Sequence, residues 1–331
     1  MRKSSISVLI PAYNNNETLL RLLRSIEKQS IYSKLEIIVS DDCSPDILGI
    51  SKDFYEIKNS LKIKWYRQEK NLGILGNLVF LSKKATNRYV VFAQHDDYYT
   101  DHLFFEEALN FFLKEPKLGI VFANSTFENT NNLYFNFKHK SPTILSGNEF
   151  TKLFWRNLMT SWSSLIFDLS ALEKFGGFGS TSYCLSEEES SDFCAYNQEE
   201  GMGFVFLILS YKSVLIFSKS VSIRGLPPDR FSNKARKNEG KVIFNDPLFF
   251  IFLKIILLIG NKGSDQKNVI KNIKITVIKN IGLRKINFKI LKLITKSLDL
   301  FILGFYAFFF DKILYLCQKN KYLIKKLLRR K

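Results

Sequence analysis

Cysteine and histidine are both scarce in this 331-residue chain, with four of the first and three of the second. Cys43, Cys184, Cys194 and Cys317 lie far apart, form no C-x-x-C pair and have no histidine at metal-ligand spacing. That argues against a zinc site or a disulfide framework and suits a reducing compartment. No G-x-x-x-x-G-K-[ST] occurs, and no G-x-G-x-x-G follows the first apolar run, so the P-loop and the dinucleotide fingerprint are both missing. None of His95, His102 and His139 has a G-x-S-x-G elbow to serve, which leaves a Ser–His–Asp hydrolase poorly supported. Long apolar runs are also lacking. The longest uncharged one, Leu300 to Phe310, has 11 residues, against about 20 needed to span a bilayer. The five-residue run before Pro11 is too short for a signal-peptide core, so the expected location is the cytosol or a membrane face reached from it.

What is present is the composition of a folded protein: 46% hydrophobic and 24% charged residues, with seven prolines and 16 glycines that follow no period. The length predicts one domain of about 200–250 residues with something attached. Charge locates the attachment. Residues 262–331 hold 18 Lys or Arg against three Asp, a net of +15 out of +18 for the whole chain.

The short β-branched and aromatic runs ISVLI (6–10), LEIIV (35–39), LKIKWY (61–66) and YVVFA (89–93) read as strands. Between them, Leu19 to Ile26 and Ile74 to Leu81 have helical spacing. Strands and helices alternating at this interval predict an α/β fold of right-handed units on a mostly parallel sheet. Such sheets bind ligands at the C-terminal ends of their strands. The sequence meets that rule, because each run is followed by a polar or acidic loop: PAYNNNE (11–17), DDCSPD (41–46), QEKNLG (68–73) and QHDD (94–97). Any one of these could merely make a turn or cap a helix; four in register point to a polar ligand. Asp96 and Asp97, on a turn after a buried strand, offer hard oxygens suited to Mg²⁺ or Mn²⁺ across a diphosphate.

SVLIPAYNNNETL, IIVSDDCSPD, NLGILGN and VFAQHDDYY, in this order and at these separations, resemble the nucleotide-sugar-binding half of a family 2 glycosyltransferase. GGFGS (176–180) and the acidic stretch after it resemble that family's acceptor half. The resemblance implies a GT-A (Rossmann-like) α/β fold over residues 1–225; the change of composition beyond it predicts a flexible basic loop or linker at 226–245 and a helical, basic amphipathic extension at 246–331. The resemblance also implies inverting, metal-assisted transfer of a sugar from a nucleotide-diphosphate donor, a UDP-sugar by expectation, to a lipid-linked or polysaccharide acceptor. Products of the lipopolysaccharide or capsule kind would fit. The alternative is a nucleotide- or glycan-binding protein that kept the scaffold and lost catalysis.

By the same resemblance, Pro11, Ala12 and Tyr13 would line the nucleobase pocket. Glu17 would touch the ribose or cap the following helix. Asp41 or Asp42 would accept from the uracil or ribose, although Asp42 could instead form a turn with Ser44. Asn71 and Gly73 would let the third loop pass close to the donor, and His95 would stand beside it. Asp96 and Asp97 would hold the divalent cation, Mn²⁺ or Mg²⁺, with Asp96 at the position that usually touches the metal and Gln94 standing where the family often has a further aspartate, a change expected to weaken metal binding without abolishing it. The general base is expected in LSEEESSDFCAYNQEEG (185–201). Where the family often reads E-D-x-D-F-C with its second acid as base, this chain has Ser190. The expectation therefore falls on Glu189, then Glu188, then Asp192. Arg224, with Arg230, Lys234 and Arg236, would reach the diphosphate, unless 222–240 is simply a basic loop.

The tail interleaves Lys and Arg with Ile, Leu and Phe, a pattern expected of helices lying on an anionic membrane surface. Its large aliphatic content weighs against nucleic acid as the partner. The expected location is peripheral, on the cytoplasmic face of a bacterial inner membrane; a homo-oligomer is left open.

Overall fold

The computed structural model describes residues 2–128 apart from residue 47, 132–133, 141–150 apart from residue 148, 161–173 and 212–225. Ten elements lead to the site and its supports. They are β1 (Lys3–Ala12), α1 (Asn16–Glu27), β2 (Glu36–Asp41), α2 (Lys52–Ser60), β3 (Lys64–Arg67), α3 (Gly73–Lys84), β4 (Asn87–Phe92), β5 (Tyr98–Tyr99), α4 (Phe104–Lys114) and β6 (Leu118–Phe127). Then follow β7 (Thr143–Ser146), β8 (Leu165–Asp168), α5 (Leu169–Glu173) and β9 (Ser213–Arg224).

These strands form one sheet in the order β3-β2-β1-β4-β8-β6-β9-β5, with β7 also paired to β9. β3, β2, β1 and β4 run parallel, which is the half of the sheet the sequence predicts most clearly. β8 enters antiparallel between β4 and β6, and β9 then runs parallel to β6. The sheet is therefore mixed beyond β4. Residues 226–331, where the loop and the helical extension are expected, lie outside the described residues.

Burial explains the strand runs. Every residue of β1 from Ile6 to Ile10 is buried, Ser7 included, as in a strand covered on both faces. One cover comes from α1, α2 and α4, whose Leu19, Leu22, Leu23, Ile26, Phe54, Phe104 and Phe112 share a core with Ile6, Val8 and Ile10. Leu19, Leu22, Leu23 and Ile26 follow the i, i+3, i+4, i+7 spacing that puts them on one face of α1. On the other face α3 packs against β1 and β2, and α5 against β4. There Phe92 meets Trp162 edge-on at 5.4 Å and Phe167 at 5.8 Å. Truncating a side chain buried this deeply costs about 3–5 kcal/mol.

Two charged clusters tie the ends of the sheet away from the acidic loops. Glu36 accepts from Lys64 at 2.6 Å, from the Thr86 amide and hydroxyl at 2.8 and 2.7 Å, and from Ser7. Burial alone would raise its pKa, but these donors outweigh burial and bring it from an ordinary 4.5 to about 2. Asp168 is fully buried and is met by Arg88 at 2.8 Å, Lys212 at 3.1 Å and the Ala171 amide at 2.9 Å. There too the partners outweigh burial, and the carboxyl is held below its usual range.

Candidate functional site

The four loops predicted to face a ligand all leave the C-terminal ends of β1, β2, β3 and β4, side by side along the parallel half of the sheet. Backbone bonds stitch them together just past the strands: Asp42 N–H to Ala12 O at 2.9 Å, Gln68 N–H to Asp41 O at 2.8 Å, and Ala93 N–H to Leu9 O at 2.9 Å. The first loop turns through Asn14 and Asn15, both with left-handed φ (55° and 58°), a conformation asparagine tolerates better than most residues. Asn15 then caps α1 by accepting from Thr18 N–H at 3.1 Å. The helix cap is therefore Asn15. Glu17 lies exposed in the first turn, where its charge suits the helix dipole. Pro11 is half-buried, Ala12 buried, and Tyr13 stands 43% exposed at the rim.

The second loop is held by its own acids. Asp41, 1% exposed, accepts from the Ser44 amide at 3.0 Å and the Ser44 hydroxyl at 2.5 Å, and its other oxygen pairs with Arg67. Arg67 also donates to Ser44 O at 2.7 Å, so one guanidinium from the end of β3 spans the loop. Ser44 accepts from Asn14 N–H at 2.9 Å, joining the first loop to the second. The turn partner of Ser44 is thus Asp41 and not Asp42. Asp42 instead reaches the third loop, accepting from Leu72 N–H at 2.7 Å. Burial raises its pKa first and the neighbouring charge of Asp41 adds to this, while backbone bonds from Leu72 and Gly73 oppose both.

In that third loop Asn71 accepts from Gly73 N–H at 2.9 Å, and Gly73 starts α3 with φ +69°, which favours glycine. Gly76, one turn on, has a geometric reason as well: a Cβ there would lie 2.9 Å from the Leu72 Cβ. Asn77, 2% exposed, donates to Ser40 O at 3.0 Å and so pins α3 to the end of β2.

The fourth loop is a tight turn, closed by Asp97 N–H to Gln94 O at 3.0 Å. Both acids are buried, Asp96 at 6% and Asp97 at 0% exposure, while His95 between Gln94 and Asp96 is half-buried. The pair is not symmetric. One oxygen of Asp97 accepts from the hydroxyls of Ser161 and Ser163, the latter at 2.8 Å. Beside it, burial and then the Asp97 charge push the Tyr99 phenol far up. Asp96 is steadied through its backbone, its carbonyl accepting from Arg21 Nη2 at 3.2 Å. Arg21 sits on α1, pairs with Glu128 at the end of β6 and lies 4.4 Å from the centre of the Tyr98 ring. Arg224 ends β9, where its carbonyl accepts from Glu128 N–H at 3.1 Å.

Among the described residues no group of three His, Cys, Asp or Glu side chains gathers to hold a metal ion. The fit to a divalent cation rests on Asp96 and its neighbour. Mg²⁺ commonly takes one or two carboxylates and completes its shell with substrate phosphates and water. The oxygen chemistry of this turn suits a cation that arrives with a diphosphate and does not suit a cage built by the protein alone. Glu188, Glu189 and Asp192, the acids expected to supply the base, lie outside the described residues, as do Arg230, Lys234 and Arg236.

Sequence reasoning brings Pro11, Ala12, Tyr13, Asp41, Asp42, Asn71, Gly73, His95, Asp96 and Asp97 to one edge of the sheet, and the structure places them there. It does not find Arg67, Arg21, Asn77, Ser161 or Ser163, whose contacts hold those loops. Arg67 carried one usable signal, a cation ending the strand next to a loop that opens with two acids.

The class of the protein follows from this α/β sheet, with acidic loops at its parallel edge and a mixed second half, taken together with its relatives. The sequence model of glycosyl transferase family 2 matches residues 7–176, more than half of the chain, and the chain belongs to that family of sugar-transferring enzymes. Among characterised relatives, poly(ribitol-phosphate) beta-N-acetylglucosaminyltransferase TarS of Staphylococcus aureus, strains Mu50 and MW2, is 35% identical over 95 residues. That stretch is 28% of this chain and spans 16% of the length of those relatives. Solved structures share the fold. S. aureus TarS 1–349 in complex with UDP-GlcNAc superposes with a TM-score of 0.59 at 15% identity, covering 92% of this chain and 79% of that one. A longer S. aureus TarS structure gives 0.58 at 16% identity, covering 89% and 48%. The fold is GT-A.

Proposed function

We propose that this chain transfers a sugar from a UDP-sugar to a hydroxyl of a lipid-linked or polysaccharide acceptor, with inversion at the anomeric carbon. The observation that carries the reading is the alignment of the loops at 12–15, 41–44, 71–73 and 94–97 along one parallel sheet edge, in a chain of this family. The donor class draws support from TarS, whose structures hold UDP-GlcNAc or UDP. UDP-GlcNAc is therefore the first donor to test.

In this reading the nucleobase lies against Pro11, Ala12 and Tyr13, near the Asp41–Asp42 step. Arg67 and Ser44 keep that step rigid, so the pocket is organised before the donor arrives. Asp96 would hold the divalent cation beside the diphosphate. When bound, that cation would stabilise the negative charge developing on the departing diphosphate. Arg21 fixes the backbone from which Asp96 acts. A carboxylate of the 185–201 segment, Glu189 ahead of Glu188 and Asp192, takes the proton as the acceptor oxygen bonds to the anomeric carbon. The bond from that carbon to the diphosphate oxygen breaks, and UDP leaves with the electron pair.

We propose further that residues 246–331 hold the enzyme at an anionic membrane surface on the cytoplasmic side, through their basic and apolar side chains. Among the described residues no helix is long and apolar enough to cross a membrane.

The test is purified full-length protein incubated with Mn²⁺ and a panel of UDP-, GDP- and dTDP-sugars, with release of the nucleoside diphosphate measured. The reading expects release from a UDP-sugar. Binding of UDP without turnover of any donor, unchanged by Glu189→Gln, would favour the binding-protein alternative.

A further inference from the structure

The acidic turn is fastened from a segment far along the chain. Residues 161–164 form a short 3-10 turn in which Ser161 caps the start, accepting from Ser163 N–H at 3.3 Å. Ser163, wholly buried, uses its hydroxyl twice: it donates to Asp97 at 2.8 Å and accepts the Gln94 amide at 3.0 Å. A serine hydroxyl has one proton to give, and here that proton goes to the carboxylate. One side chain therefore grips both ends of the turn that carries Asp96. Ser161 donates to the same carboxylate oxygen, making two hydroxyl bonds to a charged acceptor, the stronger kind.

Behind this clamp Ser164 is fixed as well. Its hydroxyl lies 2.7 Å from that of Ser125 on β6 and 2.8 Å from that of Ser222 on β9, with Ser125 and Ser222 3.1 Å apart. All three are fully buried. The clamp is thus tied to the second half of the sheet, whereas the turn it holds issues from the first.

We propose that Ser163, aided by Ser161, is a positioning residue, and that Asp97 is its internal anchor, so that the turn carrying Asp96 keeps its shape when the donor binds. This rests on the donor reading given above. An anchor needs an acceptor oxygen but no negative charge, whereas a carboxylate that holds a cation needs the charge. Asn in place of Asp separates the two roles at positions 96 and 97.

Calorimetry on the full-length chain measures UDP affinity with and without Mn²⁺. Asp96→Asn is expected to cut the metal-dependent gain in UDP affinity more than tenfold, and Asp97→Asn less than about threefold. Ser163→Ala is expected to cut that gain about three- to tenfold while leaving metal-free UDP affinity in place, a split that general destabilisation does not produce. Urea unfolding of Ser163→Ala, Asp97→Ala and the double variant reads the anchor without any ligand. The double is expected to be little worse than Asp97→Ala alone; should Asp97→Ala not fold, Asp97→Asn against Asp96→Asn decides. Additive losses in unfolding, or Asp97→Asn losing as much Mn²⁺-dependent affinity as Asp96→Asn, overturn the proposal. If the native chain gains no UDP affinity from Mn²⁺ while Ser163 and Asp97 remain coupled, the donor reading falls and the anchor stands.

Discussion

Gly225 lies against the carbonyl of Asp96, so close that a Cβ built on it would overlap that oxygen. The same carbonyl accepts from Arg21. The backbone on which Asp96 sits is therefore fixed from α1 and from the end of β9 at once. Gly225→Ala cannot be absorbed by turning a side chain, because the clash is with main chain. It is expected to destabilise the protein by about 1–3 kcal/mol and to lower Mn²⁺-dependent UDP affinity at least tenfold. Urea unfolding and calorimetry check the two effects.

Arg67→Ala leaves the buried Asp41 without the cation that spans its loop. The loss is expected to be about 1.5–3 kcal/mol, the range for a hydrogen bond to a charged group. UDP affinity without metal should fall as well, since the loop beside the nucleobase pocket loses its clasp. Arg67→Lys should restore little of either, because one ammonium cannot reach both Asp41 and Ser44 O as the planar fork does. Unfolding and metal-free UDP titration of both variants measure this.

Glu36 gives the fold a pH signature. Its folded pKa, about 2, lies below the ordinary 4.5, so its contribution is in place above pH 4.5. It is lost as the pH falls from there through about 2. Glu36→Gln should therefore cost about 1.5–3 kcal/mol at pH 7. The gap between the native chain and the variant should close steadily below pH 4.5. Chemical unfolding at a series of pH values shows whether it does.

For the tail, the expected behaviour is electrostatic. The full-length chain should co-sediment with vesicles containing anionic lipid, bind vesicles of neutral lipid much more weakly, and lose affinity as salt rises. Equal binding to neutral vesicles at high salt would contradict a charge-led attachment.

How far the sequence reaches depends on the range of the interactions involved. The strands at 6–10, 35–39 and 89–93 and the helix at 19–26 are local, periodic patterns, and each forms where its pattern predicts. The loops with ligand-facing acids were legible because a parallel sheet sets which end of each strand they leave. The antiparallel entry of β8 was not, since nothing within Leu165–Asp168 distinguishes its direction. Nor were the contacts that finish the site. Ser163 meets Asp97 across 66 positions and Arg21 meets Asp96 across 75. A serine near a tryptophan and an arginine on an amphipathic helix look ordinary until the chain folds back on itself. The resemblance named Asp96 as the usual metal contact, and the two hydroxyls on Asp97 were beyond its reach.

The most direct test of the account is turnover of a UDP-sugar by the native full-length enzyme and by Asp96→Asn, under saturating Mn²⁺. The account predicts release of UDP by the native chain and a loss of at least a hundredfold in the variant, with its folding unchanged. Full turnover by Asp96→Asn would contradict it.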